Sequence, residues 1–343
     1  MADVNWAAIW KNQLRLKELS YEHFVTKYHS VNGAYFLEKM DGQLGAMIFR
    51  NEDAKLVSIN NIEITNVPVL DEYRSVLLRN NIKSAIIMGE VVAVKGGQIL
   101  PFNKTESIVK TFYKPQNGPL VHHYAFDVMM INNKKVKSFP TAISLIDRFF
   151  KGRTGRIHVP IWTKGGIKEF RDLWMNVERK EGIEGIVVRM PDGRAFKVKP
   201  HYTADLAVIG MGSTAMPAWK KGWISYLKTA WVDRDGALLL SSNVGSGYTH
   251  AQREFLFKQV QKIKVQDLGT EFLVRPERVI EVRYDRAHLK QMPAYEYRNG
   301  VYRQIGARSS ATLVIPRFLR FRDDKSVDSV DCRPEQIPNF PGR

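Results

Sequence analysis

The stretch AYFLEKMDG at residues 34–42, with GAMIFRN at 45–51 behind it, decides how this chain is read. Its apolar positions favour a short strand that ends at a turn. Lys39-Met40-Asp41-Gly42 then sits at the strand end. Residues i and i+2 of a strand share a face, so the Lys39 amine and the Asp41 carboxylate are expected to point into one space, with Gly42 permitting the turn. Taken alone, K-x-D-G describes a surface lysine beside an acid better than a reactive one, and its meaning depends on what surrounds it.

Working outward, further β-rich runs follow: KLVSIN, SAIIMGEVVAV then KGGQIL, and HHYAFDVMMIN then KKVKSF. Gly96-Gly97 and Asn132-Asn133 read as hairpin turns between them. Helices are expected at about 141–150 and 167–180. Two more strands, GIVVRM and AFKVKP, flank the turn Pro191-Asp192-Gly193. Upstream, Trp6, Ile9, Trp10, Leu14 and Phe24 recur near helical spacing, which predicts an amphipathic helix over 5–28. Pro200 cannot extend a strand ladder and the pattern then resets, so residues 1–200 are expected to form an α+β domain with a hinge near 200–204. From 205 strands dominate, with one helix at about 250–264 whose Thr249 and Gln252 have capping-box spacing. Five or so short strands and one helix suggest an OB-type barrel over 201–343.

Composition narrows the partners. The 343 residues carry a net charge of +17, with 30 basic against 20 acidic residues in 1–200 and 22 against 15 in 201–343. A polyanion touching both halves explains two cationic domains, because Lys and Arg neutralising phosphate supply most sequence-independent nucleic-acid affinity. The single cysteine, Cys332, excludes an internal disulfide, and zinc spacings are absent, so any metal is expected on oxygen ligands. No apolar run approaches a membrane span and the N-terminus does not read as a signal peptide. A cytoplasmic chain, at a nucleoid or a viral replication site, is the corresponding expectation.

Downstream of Lys39 come, in order, Gly89-Glu90-Val91-Val92, Phe126-Asp127, Glu184-Gly185-Ile186-Val187-Val188-Arg189, Phe196-Lys197-Val198-Lys199-Pro200 and Arg322-Asp323-Asp324-Lys325. In this ordered set the sequence resembles the covalent nucleotidyltransferases, the superfamily of DNA ligases, RNA ligases and mRNA capping enzymes, over residues 35–328. Ser242-Asn243-Val244-Gly245-Ser246-Gly247-Tyr248-Thr249 and Val279-Ile280-Glu281-Val282-Arg283-Tyr284 are similar to stretches in the OB domain of ATP-dependent DNA ligases, as is the ending Ile315 to Lys325. The resemblance implies an antiparallel-sheet nucleotidyltransferase (ATP-grasp-like) domain at 1–200 followed by an OB-fold β-barrel domain at 201–343. It implies ATP and Mg²⁺, with Mn²⁺ as a substitute, and a compact monomeric enzyme acting on nicked duplex DNA.

By the same resemblance Lys39 carries AMP and Asp41 serves the later sealing steps. Glu38, Glu90, Phe126, Lys197 and Lys199 bind the nucleotide, with Glu90 on the ribose and Phe126 stacked on adenine. Glu184, Glu90 and Asp41 face the metal, while Arg322 and Lys325 orient the pyrophosphate. A physical requirement stands beside these roles. An attacking amine must be deprotonated, whereas free lysine has a pKa near 10.4, so the site is expected to lower it by desolvation and by the nearby Lys197 and Lys199.

Two departures bear on substrate. Leu44 stands where DNA ligases usually carry arginine, and Ser58-Ile59-Asn60-Asn61 replaces an S-R-N-G stretch. Leucine after K-x-D-G also occurs among RNA ligases, so an RNA ligase is one alternative, with Arg50 a candidate to compensate for the missing cations. A GTP-using capping enzyme is disfavoured by the OB stretches, and a non-catalytic OB-type binding protein by the completeness of the motif set.

Overall fold

The computed structural model describes residues 16–60, 62–180, 182–213, 222–338 and 340. The chain divides into two compact units, Met1–Pro200 and His201–Arg343. No helix among the described residues is long and apolar enough to cross a membrane.

The first unit contains the strands β1 (Lys17–Ser20), β2 (Ala34–Met40), β3 (Gln43–Arg50), β4 (Asp53–Ser58), β5 (Glu63–Ile64), β6 (Ser84–Lys95), β7 (Gln98–Ile99), β8 (Val121–Ile131), β9 (Lys134–Lys135), β10 (Ile157–His158), β11 (Trp162–Gly165), β12 (Ile183–Arg189) and β13 (Ala195–Lys199). They build two sheets. One has the order β1-β13-β12-β2-β11, and the other β10-β8-β6-β3-β4-β5 with β7 and β9 attached. The chain passes from the first sheet to the second at Asp41-Gly42, between β2 and β3. Lys39 therefore lies on the seam.

Helices α1 (Tyr21–Lys27), α2 (Pro68–Arg79), α3 (Phe102–Lys110), α4 (Phe139–Phe150) and α5 (Ile167–Arg179) cover the sheets. Leu37, Met47, Ile87 and Val128 join α2 and α4 residues such as Tyr73 and Ile146 in one core, while Phe36 and Val198 meet α1 and α5 through Phe24 and Phe170 in another. The alternation of Phe36 and Leu37 between two cores shows why β2 reads as mostly apolar: both its faces are covered. Gly96-Gly97 and Asn132-Asn133 all have positive φ, as two-residue hairpin turns demand.

The structure corrects the sequence reading in places. The expected helix over 5–28 is replaced, in its described part, by β1 and the short α1. Ser20 caps α1 by accepting from the His23 N–H, so a serine that looked internal to one helix starts another. Trp6, Ile9, Trp10 and Leu14 lie outside the described residues. Helices α2 and α3 stand where the sequence reading assigns no element. The α2 segment does have the helical pattern, with Pro68 at its first turn and Val69, Leu70, Tyr73, Val76 and Leu77 buried along one face.

The second unit is antiparallel: β14 (Tyr202–Gly212), β15 (Tyr226–Val232), β16 (Leu238–Val244), β17 (Lys264–Asp267), β18 (Glu271–Tyr284), β19 (Arg286–Arg298), β20 (Val301–Val314) and β21 (Arg317–Phe321). Their order is β17-β18-β14-β15-β16-β19-β20, with β21 on β18. Bulges in β14, β15 and β18 curl this sheet around a core centred on Trp231, which is fully buried and donates its indole N–H to the Ala311 carbonyl. Helix α6 (His250–Gln261) starts at the capping box of Thr249 and Gln252 and packs Leu256 and Val260 onto that core.

Gly89 precedes Glu90 on β6 and has no space for a side chain: a methyl there would collide with the Tyr124 carbonyl and the buried His123 ring. Gly89→Ala is expected to lower stability by about 1–3 kcal/mol through overpacking. A fall in the denaturant midpoint of the first unit, followed by tryptophan fluorescence, checks this; an unchanged midpoint would contradict it.

Candidate active site

Lys39 leaves the end of β2 between two carboxylates that come from different sheets. β12 supplies Glu184, which touches the amine, and β6 supplies Glu90 at 3.5 Å. Glu184 falls where the β12–β2 register slips between Ile183 and Gly185, and such a bulge redirects a side chain. Gly185 is required beside it, since a Cβ would strike the Val198 carbonyl of β13. On β13, Lys199 lies 3.1 Å from Glu184, and Lys197 lies 3.3 Å from Glu18 of β1.

Lys39, Glu90, Glu184, Lys197 and Lys199 line one cavity of about 150 Å³ together with Glu38 and Arg189, and its apolar wall includes Leu37, Leu44, Phe126 and Val187. The cavity thus has an ionic end and an apolar end, the form of a site that fixes a flat apolar ring with a few aimed polar groups. Glu90 Oε2 is buried and accepts no hydrogen bond from the protein. A buried acceptor of this kind is costly unless a ligand donor reaches it.

The electrostatics depart from expectation. Burial would lower the Lys39 amine, but Glu184 and Glu90 outweigh it and its pKa is raised. Burial also works against ionising Glu184, yet Lys39 and Lys199 hold it down to about 2. Glu90 is pushed up to about 7, mainly by desolvation and then by its acidic neighbours Glu184 and Asp41 against the pull of Lys39. The two β13 lysines do not depress Lys39, because each faces a carboxylate: Lys199 that of Glu184, and Lys197 that of Glu18. The two carboxylates favour Lys39 as an ammonium ion.

Two further site residues and the expected metal set are placed differently from the sequence reading. Asp41 lies beyond the end of β2, buried in the turn, where its N–H donates to the Gly182 carbonyl; it does not share a cavity wall with Lys39. Glu38, one residue from Lys39, projects to the opposite side of β2 by strand alternation. Its carboxylate sits 3.6 Å from Lys180, and burial raises its pKa. The expected metal set of Glu184, Glu90 and Asp41 is not assembled: among the described residues no group of three or more acids, histidines or cysteines is arranged to hold an ion. Glu90 and Glu184 face the Lys39 ammonium instead, which supplies the positive charge between them.

Leu44 and Ile59 pack with Phe126 and Met129 around the buried Ala46 and Met88, so the two positions that would carry arginine form apolar wall. Arg50 cannot replace them, since it ends β3 six residues from Leu44, about 20 Å away at the rise of a strand. In the second unit Arg322 makes two 3.1 Å contacts with Asp205 and also pairs with Asp324, while Lys325 binds Asp331 at 2.9 Å and lies 3.4 Å from Asp205. Glu18 went unnoticed in the sequence because it precedes Lys39 and belongs to no motif. Only the parallel pairing of β1 with β13 places it opposite Lys197.

Comparison with known proteins places the chain in a family. The family described as ATP dependent DNA ligase domain matches residues 17–197, more than half of the chain, which therefore belongs to the ATP-dependent DNA ligase family. The DNA ligase of Methanococcus maripaludis strain S2 is 27% identical over 86% of this chain and 54% of its own length. That of Methanocaldococcus jannaschii is 25% identical over 87% and 55%. The chain thus spans about half the length of the curated relatives it matches. Among solved structures, Pmar-Lig_PreS3 superposes with a TM-score of 0.62 at 18% identity, covering 93% of this chain and 72% of that one. A Lig E DNA ligase superposes at 0.51 and 16%, covering 89% and 98%. These likenesses carry the fold, a nucleotidyltransferase domain followed by an OB-fold domain.

Replacing Glu184 by Gln removes the larger charge that raises the Lys39 pKa, and each unit of pKa changes the neutral amine fraction tenfold at a pH below it. Glu184→Gln is expected to speed acylation of Lys39 by an amine-reactive ester at least about tenfold near pH 8. Peptide mapping by mass spectrometry reads the site directly, and an unchanged rate would remove Glu184 from this role.

Proposed function

We propose that the chain is an ATP-dependent DNA ligase that carries AMP on Lys39 and seals 5′-phosphate nicks in duplex DNA. The observation that carries this reading is the single lysine set between Glu90 and Glu184 at the ionic end of a cavity whose other end is apolar. A nucleotide fits that division: the base against Phe126 and Val187, a ribose hydroxyl donating to the orphaned Glu90 oxygen, and the phosphates toward Lys39, Lys197 and Lys199.

The proposed chemistry has three in-line transfers. The neutral Lys39 amine attacks the α-phosphorus of ATP, forming a P–N bond as pyrophosphate leaves. The nick 5′-phosphate then displaces Lys39 and takes AMP, and the 3′-hydroxyl displaces AMP to close the strand. A deprotonated Lys39 becomes accessible once Glu184 and Glu90, the charges that raise its pKa, are neutralised by cations other than its own ammonium. Glu90, with a pKa near 7, is suited to accept a proton at neutral pH. Mg²⁺ fits as an ion held chiefly by the phosphates with Glu184 or Glu90 adding one carboxylate, because this ion seldom uses an all-protein cage; bound there, it offsets the charge of the transferring phosphoryl group.

A DNA substrate is supported by the charge of both units and by the long β19–β20 ribbon, which turns at Asn299-Gly300 and exposes Lys290, Arg298 and Arg303. Arg322 and Lys325 would contribute in the first step alone, by neutralising departing pyrophosphate, and their present pairing with Asp205 would have to open for this. Leu44 favours the RNA-ligase alternative, which the substrate test addresses. The protein is proposed to act as a cytoplasmic monomer.

Incubation with ATP and Mg²⁺ is expected to add the mass of one AMP, and Lys39→Ala to abolish the gain. A variant that still becomes adenylylated would overturn the assignment. The adenylylated protein is expected to seal nicked duplex DNA with affinity falling steeply as salt rises, and preference for single-stranded RNA ends in a gel assay would refute the DNA reading.

A further inference from the structure

Glu18 lies against two lysines of the cavity and has no part in the three transfers. Strand β1 runs parallel to β13 and sets Glu18 opposite Lys197 in the register. Its carboxylate lies 3.3 Å from the Lys197 amine and 4.0 Å from that of Lys199. The lysine pair therefore already faces an anion where the proposed reading requires nucleotide phosphate. Two ammonium groups at i and i+2 of one strand repel each other, and they need such a partner to remain on the same face.

We propose that Glu18 is a positioning residue that acts as an internal counter-charge, holding Lys197 and Lys199 toward the cavity until the nucleotide's phosphates displace it, and so setting nucleotide affinity. The inference rests on the reading that this cavity takes a nucleotide. Its physical content is a competition. An arriving phosphate must share the two amines with a carboxylate a few ångströms away, and that charge repels it at any distance short of the Debye length. Glu18 is only 22% exposed at its side chain, so water screens the repulsion in part and does not remove it.

Glu18→Gln keeps the shape and deletes the charge. It is expected to bind inorganic pyrophosphate on the order of tenfold more tightly than the unaltered chain in titration calorimetry at fixed ionic strength, equivalent to about 1.4 kcal/mol. Glu18→Ala should move in the same direction, and Glu18→Asp should restore the original affinity. In lysyl-AMP formation the Gln variant should show a lower KM for ATP without a matching rise in kcat, a split that loss of β1–β13 packing would not produce. Equal or weaker pyrophosphate binding by the Gln variant, or no binding by either protein, would overturn the proposal. Because pyrophosphate binding needs no transfer to Lys39, a chain that binds it but never gains AMP would sink the ligase reading and leave the role of Glu18 standing.

Discussion

Burying an ammonium group is expensive, and the first unit is arranged around that cost at Lys39. The desolvation penalty of an ion in a protein interior is several kcal/mol and is recovered only by close, well-placed partners. Glu184 and Glu90 are those partners, and they come from different sheets. The seam at Asp41-Gly42 and the bulge at Glu184 let residues of β2, β6 and β12 meet, while Gly89 and Gly185 let β6 and β12 pack closely on β8 and β13.

The same arrangement gives the proposed site a resting state. With both carboxylates on Lys39 and with Glu184 and Glu18 facing the β13 lysines, every charge at the ionic end has a counter-charge before a nucleotide arrives. An anion arriving at these lysines would have to exchange partners with the carboxylates already on them. The raised pKa of Lys39 describes a guarded lysine, in line with the general observation that strongly perturbed groups gather at functional sites. Arg322 and Lys325 repeat the pattern in the second unit, where Asp205, Asp324 and Asp331 neutralise them.

The positions beside Lys39 that the resemblance gives to arginine are apolar. Leu44 and Ile59 do not project cations but close a small apolar cluster under Phe126. Positive charge is shared by both halves of the chain, and on the β19–β20 ribbon Lys290, Arg298 and Arg303 are exposed.

The sequence by itself determined the class of fold, the hairpin turns, the antiparallel second unit with its capped helix, and the nucleophile candidate, because these depend on local spacing, turn chemistry and ordered motifs. It also held the pattern of α2, which passed unread behind a run of strands. Only the tertiary structure decided which charges face one another. That the Glu38 carboxylate pairs with Lys180 while that of Glu18 faces Lys197 and Lys199, that Asp41 leaves the cavity wall, and that Glu184 and Glu90 raise the Lys39 pKa against the pull of burial all follow from strand pairing and a bulge. Electrostatic effects depend on distances across strands that neighbouring letters do not encode.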